Sequence, residues 1–505
     1  MFQRTLPLMV FPAVKLVLHL VTHRGYGMFR DEYYYLACAE RLAWGYVDHP
    51  PFSIFLLWIV RNLLGDSLLA VRLLPALAGA ATVLLVGLMA RRLGGGLFAQ
   101  SLAMVGALAA PIYLALDHFY SMNAFDLVFW ALAAYLILLL VQGAGVRVWL
   151  LLGAVLGLGL MNKISILWLG FGLLVGLLVT QRRRWLLTPG PWLAAGLAVL
   201  LFLPYILWQV GNDWPTVEFI RNASGQKMLE VKPLDFMLSQ LRVMNPAVAP
   251  LWLAGLAWLL ASARGAPFRM LGWMYVAVFL LLILNGTSRA GYLAPAYTWL
   301  LAAGGVASEE LFHGRRWGAL RWPAAASLVL AGVVVAPLAL PVLPVNSYIL
   351  YAESLGIAPS TAERKEVAQL PQFYADMHGW DSIVDTVAGV YHTLPAEEQK
   401  VVAIFTYNYG DAGAIDLLGR KHGLPPAIGG HNNYWLWGPR EFTGDVVLVL
   451  GNDRESLEES FEQVELGAMV DCGHCMPYEN HRPVWICRKL RRPLAEAWPR
   501  LKHFD

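Results

Sequence analysis

Residues 120–141 read YSMNAFDLVFWALAAYLILLLV, a single carboxylate followed by fifteen residues without a charge. A helix needs about 20 mostly apolar residues to cross bilayer hydrocarbon, and this stretch supplies them with Asp126 at one mouth. Working outward, similar runs are centred near Val14, Val83, Ala107, Val155, Gly172, Ala198, Leu256, Phe279, Trp299 and Val334. Together they predict roughly eleven transmembrane helices. Lys15 and His19 make the first of these the weakest. Leu6–Val21 has the apolar core of a signal peptide, but no clear cleavage site follows and further spans do, so it is read as a span. Phe52–Leu64 is short and carries Arg61, which predicts an interfacial helix.

The composition agrees. The chain has 505 residues, 58% hydrophobic and only 14% charged, against about 45–50% and about 25% in soluble domains. The deficit of charge ends near Pro344. The expected fold is an α-helical polytopic membrane domain over residues 1–344, followed by a soluble α/β domain over 345–505. A net charge of +3 with no basic stripe excludes a nucleic-acid binder driven by bulk electrostatics. Four cysteines are too few for a disulfide scaffold.

The connecting loops fall into two sets. One is short and basic, with Arg91–Arg92, Arg147, Arg182–Arg184, Arg264, Arg269 and Arg315–Arg316, which the positive-inside rule makes cytoplasmic. The other holds Asp31, Glu32, Glu40, Asp48, Asp66, Asp117, Asp213, Glu218, Glu230 and Asp235 and is read as outer. The soluble domain then lies on the outer side, and so does the chemistry.

The densest outer loop is RDEYYYLACAERLAWGYVDHPP, residues 30–51. Asp31 is placed to cap an interfacial helix ending at Gly45. Two acids, a histidine and five Tyr or Trp residues suit a carbohydrate site, with Tyr34, Tyr35, Asp48 and His49 as sugar or acceptor contacts. Interfacial aromatics also occur for purely physical reasons, and Asp31 alone reads equally well as a cap.

The Asp-Glu start and the Gly-x-x-x-His-Pro-Pro finish of this loop resemble the first external loop of the protein O-mannosyltransferase/aminoarabinose transferase group. These are family 39-like membrane glycosyltransferases of the GT-C fold. The resemblance continues at YSMNAFD (120–126), GLGLMNK (157–163) and RAGYLAPAY (289–297). It implies an inverting transfer of a sugar from a polyprenyl-phosphate donor to a lipid, glycan or protein hydroxyl, in a bacterial inner membrane with a periplasmic site. Phosphate is already a good leaving group, so one carboxylate suffices as general base. By the resemblance that base is Asp31, with Glu32 supporting it. Asp126 matches an acidic position that would bind sugar or acceptor, or else is a polar residue at a span mouth.

A departing phosphate in a low-dielectric site needs cations facing it. Lys163 ends the fifth span and Arg289 opens the tenth, with Tyr292 a turn later; snorkelling to the interface is the competing reading of both cations. Arg221, in the long loop Gly211–Asn245, is either a further phosphate contact or a solvated charge. The sequence departs from aminoarabinose transferases at Asp48-His49, where those carry Glu-Lys, and at Tyr34, where they carry arginine. No cofactor is required; a divalent metal held by Asp48, His49, Asp117 and His118 is the alternative.

In the soluble part, Val401–Thr406 and Val446–Gly451 predict strands, and Asp411–Arg420 a helix between them. Cys472-Gly-His-Cys475, with His481 and Cys487 following, predicts a structural disulfide in an oxidising compartment. Zinc bound by Cys472, Cys475, Cys487 and a histidine, or a redox motif, are the alternatives. NYGD (408–411) and GHNNYWLW (430–437) suit glycan contacts or loop packing. A flippase for a lipid-linked glycan and a non-catalytic envelope-glycan receptor are the competing functions. The flippase predicts internal repeats and mid-span breaks, and no convincing repeat is present.

Overall fold

The computed structural model describes residues 5–313 and 317–505. Arg315 and Arg316 of the last basic loop lie outside the described residues. The chain forms two compact units, each assembled from separated segments. The first contains Met1–Gly25, Leu64–Leu207 and Glu230–Pro344; the second contains Tyr26–Leu63, Trp208–Leu229 and Val345–Asp505. The boundary at Pro344 coincides with the change in composition. The loop at residues 30–51 and the start of the long loop, expected in the helical domain, cluster instead with the C-terminal residues.

The described part of the first unit is built from helices and their connections. Each expected span centre falls within a helix, from Val14 in Leu6–Thr22 to Val334 in Arg321–Ala339. Among the described residues, five helices are long and apolar enough to cross a membrane, or up to seven if two bent pairs count as one span each. The pairs are Ile166–Leu178 with Gln181–Leu187 and Pro233–Val243 with Pro246–Ala261, bent by 107° and 90°. The remaining apolar runs are shorter for visible reasons. Pro111, with no amide to donate, begins a new helix three residues after Leu97–Leu108 ends, and Val146–Asn162 stops at the extended Lys163. Trp130 and Trp299 stack in the core of this unit with ring centres 6.3 Å apart. The helices Pro189–Gly211 and Gly318–Ala339 have only 22% and 11% of their apolar windows buried. Such open apolar faces suit a hydrocarbon solvent, in which a helix satisfies its own backbone polar groups.

The second unit carries a five-stranded sheet in the order β2-β1-β3-β5-β4. The strands are β1 Ala403–Thr406, β2 Ile428–Gly429, β3 Val446–Leu450, β4 Phe461–Met469 and β5 Pro483–Leu490. β1 pairs in parallel with β2 and β3, and β5 runs antiparallel to β3 and β4. The central strand β3, Val-Val-Leu-Val-Leu, is buried at every position, as a continuous apolar run between two neighbours requires. β1, β3 and the helix Tyr409–Leu418 lie where the sequence placed them. β4 escapes a hydropathy reading because most of its side chains are exposed.

The helix Arg30–Ala39 ends six residues before Gly45. The Tyr46 hydroxyl closes it early, accepting the Ala43 amide and lying within hydrogen-bond reach of the Cys38 and Arg41 carbonyls. This helix packs against Tyr409–Leu418 at glycines. A Cβ on Gly413 would sit 2.7 Å from the Tyr33 carbonyl carbon, and one on Gly410 2.4 Å from Arg30 Cγ.

Cys472 and Cys475 form a disulfide. Cys487 is a buried free thiol in β5, and Cys38 is also free. The zinc alternative is therefore corrected: two of its sulfurs bond each other and the third packs in the sheet core.

Candidate active site

Two groups of polar side chains stand out, one in each unit. In the second unit, Asp31 is the second residue of its helix and not the cap. Phe29 occupies the cap position, and Glu32, fully buried, accepts the Phe29 amide at 2.7 Å. One Glu32 oxygen thus meets an N–H of the first turn. Asp31 keeps 31% of its side chain exposed. Its Oδ1 accepts the Tyr409 hydroxyl at 2.9 Å and lies 3.6 Å from Arg30 Nε. Burial raises Tyr409 well above the ordinary phenol value, so its hydroxyl remains a donor.

The aromatic residues of the loop are arranged around this carboxylate. Tyr34 donates to Asp48 Oδ1 at 2.8 Å and packs against Tyr409, ring centres 4.7 Å apart. Tyr35 stacks on His49 at 4.7 Å and 19°. Both tyrosines are buried, with 1% and 4% exposure. Asn433, from the GHNNYWLW segment, accepts the Val47 amide at 2.8 Å and thereby holds the turn carrying Asp48 and His49. Arg221 lies in the helix Pro215–Asn222 and is exposed.

Beneath Asp31 runs a buried ionic network. Arg30 donates to the Tyr478 hydroxyl at 2.8 Å and lies 3.6 Å from Asp376 and 4.0 Å from Glu363. Arg482 grips Asp411 with two 2.8 Å hydrogen bonds. Glu479, fully buried, has no hydrogen-bond partner for either carboxyl oxygen. Burial, reinforced by Asp376 and Asp411, pushes Glu479 up to about 8. Burial likewise pushes Asp376 up to about 7 against the pull of Arg30. Both are raised because ionisation without a full set of donors is costly in this interior.

In the first unit, three of the segments that resemble the transferase group meet. Lys163 Nζ donates to Asn123 Oδ1 at 2.8 Å and lies 3.4 Å from Asp126 Oδ2. Ser165 Oγ sits 2.8 Å from both Asp126 oxygens. The Lys163 ammonium lies 5.5 Å from the centre of the Tyr292 ring. Arg289 begins the 3₁₀ turn that carries Tyr292 and is half-buried. Asp126 therefore orients Lys163 and faces it with a counter-charge. Asn123 and Ser165 went unnoticed in the sequence, although each stands next to or within a motif.

The metal reading does not fit these residues. Asp48 is engaged by Tyr34, and Asp117 forms a 2.9 Å ion pair with Lys15. His118 Nε2 faces the Arg72 guanidinium at 3.2 Å, which can only donate, so its lone pair is occupied. Among the described residues, the group with metal-ligand spacing is His431, His503 and Asp505. There His431 Nδ1 accepts the Tyr409 amide at 3.4 Å, so Nε2 carries the proton toward Asp505 Oδ1 at 3.1 Å. The set reads as a hydrogen-bonded clip.

Three comparisons place this geometry among known proteins. The family model described as dolichyl-phosphate-mannose-protein mannosyltransferase matches residues 48–208. The lipid A galacturonosyltransferase RgtD of Rhizobium johnstonii is 24% identical over 389 residues, which is 74% of this chain and 79% of that protein. The crystal structure of ArnT from Cupriavidus metallidurans bound to undecaprenyl phosphate superposes with a TM-score of 0.65 at 17% identity. That match covers 95% of this chain and 98% of ArnT, and the apo form gives 0.61 over 94% and 97%. At this identity the structural likeness concerns the fold. The resemblance read from the motifs is borne out: the chain is similar to a mannosyltransferase family model and to a lipid A galacturonosyltransferase, and shares its fold with ArnT.

Proposed function

We propose that this relative of the membrane glycosyltransferases is an inverting enzyme. It moves one sugar from a polyprenyl-phosphate donor to an acceptor hydroxyl on the outer face of a bacterial inner membrane. The observation that carries the reading is Asp31, a partly exposed carboxylate held by Tyr409 and Arg30 inside a buried network. The undecaprenyl phosphate bound to ArnT supports the donor class. The likeness to RgtD, a lipid A galacturonosyltransferase, supports a glycolipid acceptor.

In the reaction, Asp31 takes the proton of the acceptor hydroxyl as its oxygen attacks the anomeric carbon from the face opposite the phosphate. The new C–O bond forms while the bond to the phosphate oxygen breaks. The polyprenyl phosphate leaves with the electron pair and a second negative charge. A departing phosphate calls for cations and donors; within the first unit the groups of that chemistry are Lys163, Arg289 and the Tyr292 hydroxyl, and Asp126 and Asn123 keep the Lys163 ammonium in one orientation.

Replacing Asp31 with Asn tests the assignment. Removing a general base typically costs about 10²–10⁴-fold in rate. Transfer from a synthetic polyprenyl-phosphate sugar by the purified chain should fall by that order while donor binding persists. Full activity in this variant overturns the mechanism.

A further inference from the structure

The second unit contains a half-open cavity of about 430 Å³, within the roughly 300–1,000 Å³ range of small-molecule sites. Asp31 does not line it, but two lining residues contact Asp31: Tyr409, which donates to it, and Arg30, whose Nε lies 3.6 Å away. The two segments of the soluble part that suited glycan contacts both reach it, through Asn408 and Tyr409 from one and His431 from the other.

The lining is sorted by depth. Inside, charges are matched: Arg482 is taken by Asp411, Arg30 by Asp376 and Asp31, and Asp505 by His431 and His503. Glu363 also lies 4.0 Å from Arg30, Lys227 is a further half-buried lining cation, and the interior is rich in hydrogen-bonding groups. The wall also contains Tyr407, an aromatic residue 43% exposed whose hydroxyl accepts from Asn452 at 2.7 Å. Arg364 and Lys365 are exposed lining cations; Arg364 Nε donates to the Met228 carbonyl at 3.1 Å, and Lys365 lies 4.8 Å from the centre of the Tyr478 ring. An aromatic face with paired donors and acceptors suits the C–H face and hydroxyls of a sugar. Two adjacent exposed cations suit one acidic substituent.

We infer that this cavity binds an acidic saccharide, a sugar carrying a carboxylate or a phosphate, as the acceptor-side site of the proposed transferase. The inference rests on that reading for its place in the reaction, and on the cavity alone for its ligand.

Saturation-transfer NMR on the purified full chain in nanodiscs, with glucuronate, glucose 6-phosphate, glucose and inorganic phosphate as probes, tests it. Glucuronate or glucose 6-phosphate should bind at least about fivefold more tightly than glucose, and the preferred one names the acid. Replacing Arg364 and Lys365 with Ala should remove that preference. Tyr407→Ala should weaken every sugar at least about fivefold, and Tyr407→Phe should restore binding. Equal affinity for glucose and both acidic sugars, binding indifferent to these variants, or inorganic phosphate bound as tightly as glucose 6-phosphate overturns the assignment. Asp31→Asn separates the two proposals. Lost transfer in that variant with no saccharide binding in the wild type overturns this site alone. Saccharide binding with a fully active Asp31→Asn overturns the base alone.

Discussion

Tyr409 is buried, donates to Asp31 at 2.9 Å and leans its ring toward the Arg30 guanidinium. It touches the proposed base and not the reacting atoms, so its role is to position. A hydrogen bond to a charged group is worth about 1.5–3 kcal/mol, which corresponds to roughly 10- to 100-fold in rate. Tyr409→Phe should lower kcat by that amount with little change in the KM for donor. A purely structural role would move both, and steady-state kinetics with varied donor distinguishes the two. Glu32 illustrates what a motif leaves open. The Asp-Glu pair was legible as a pair, but which acid is solvent-facing depends on where the helix starts. A start at Arg30 turns Glu32 back onto the Phe29 amide and leaves Asp31 exposed.

At the scale of elements, the contact between Arg30–Ala39 and Tyr409–Leu418 sets the position of Tyr409, and glycine permits it. The neighbour of Gly413 is the Tyr33 backbone, at 2.7 and 2.8 Å from an added Cβ; backbone cannot swing aside as a side-chain tip can. Gly413→Ala should separate the helices, cost about 1–3 kcal/mol as overpacked contacts do, and reduce transfer along with thermal stability. An effect on neither would mean that the two helices adjust without penalty. In the first unit, Lys15 sits in an apolar helix because Asp117 and the Tyr113 carbonyl receive its ammonium at 2.9 and 2.8 Å. The lysine that made the first span look weakest is thus explained by a partner 102 positions later. Removing one member of a buried pair costs about 3–5 kcal/mol, while an apolar replacement of both is often neutral. Lys15→Met should therefore lower the melting temperature in detergent, and Lys15→Met with Asp117→Leu should recover most of it. A double variant no better than the single one would refute the pairing as the cause.

For the whole molecule, the second unit stores a pH dependence. Glu479 and Asp376 are raised to about 8 and about 7 in the folded chain, well above ordinary carboxyl values. The folded state holds protons that the unfolded state releases. Their contribution to stability is complete below about pH 4 and is lost as pH rises through about 7–8. Glu479→Gln, which imitates the protonated acid, should raise the melting temperature at pH 8.5 by more than at pH 5. An equal shift at both values would show that Glu479 does not titrate there. The amino-acid sequence by itself determined the helical, membrane-like first part, the break near Pro344, β1, β3 and their helix. It also determined the segments that meet at Lys163. Run length, strand apolarity and turn chemistry are local properties written in adjacent residues. Only the tertiary structure decided that residues 26–63 and 208–229 join the C-terminal unit. It alone paired Asp31 with a hydroxyl 378 positions away and set a cavity behind that pair. Such contacts arise when separate surfaces bury one another, and neither hydropathy nor spacing along one chain records which surfaces will meet.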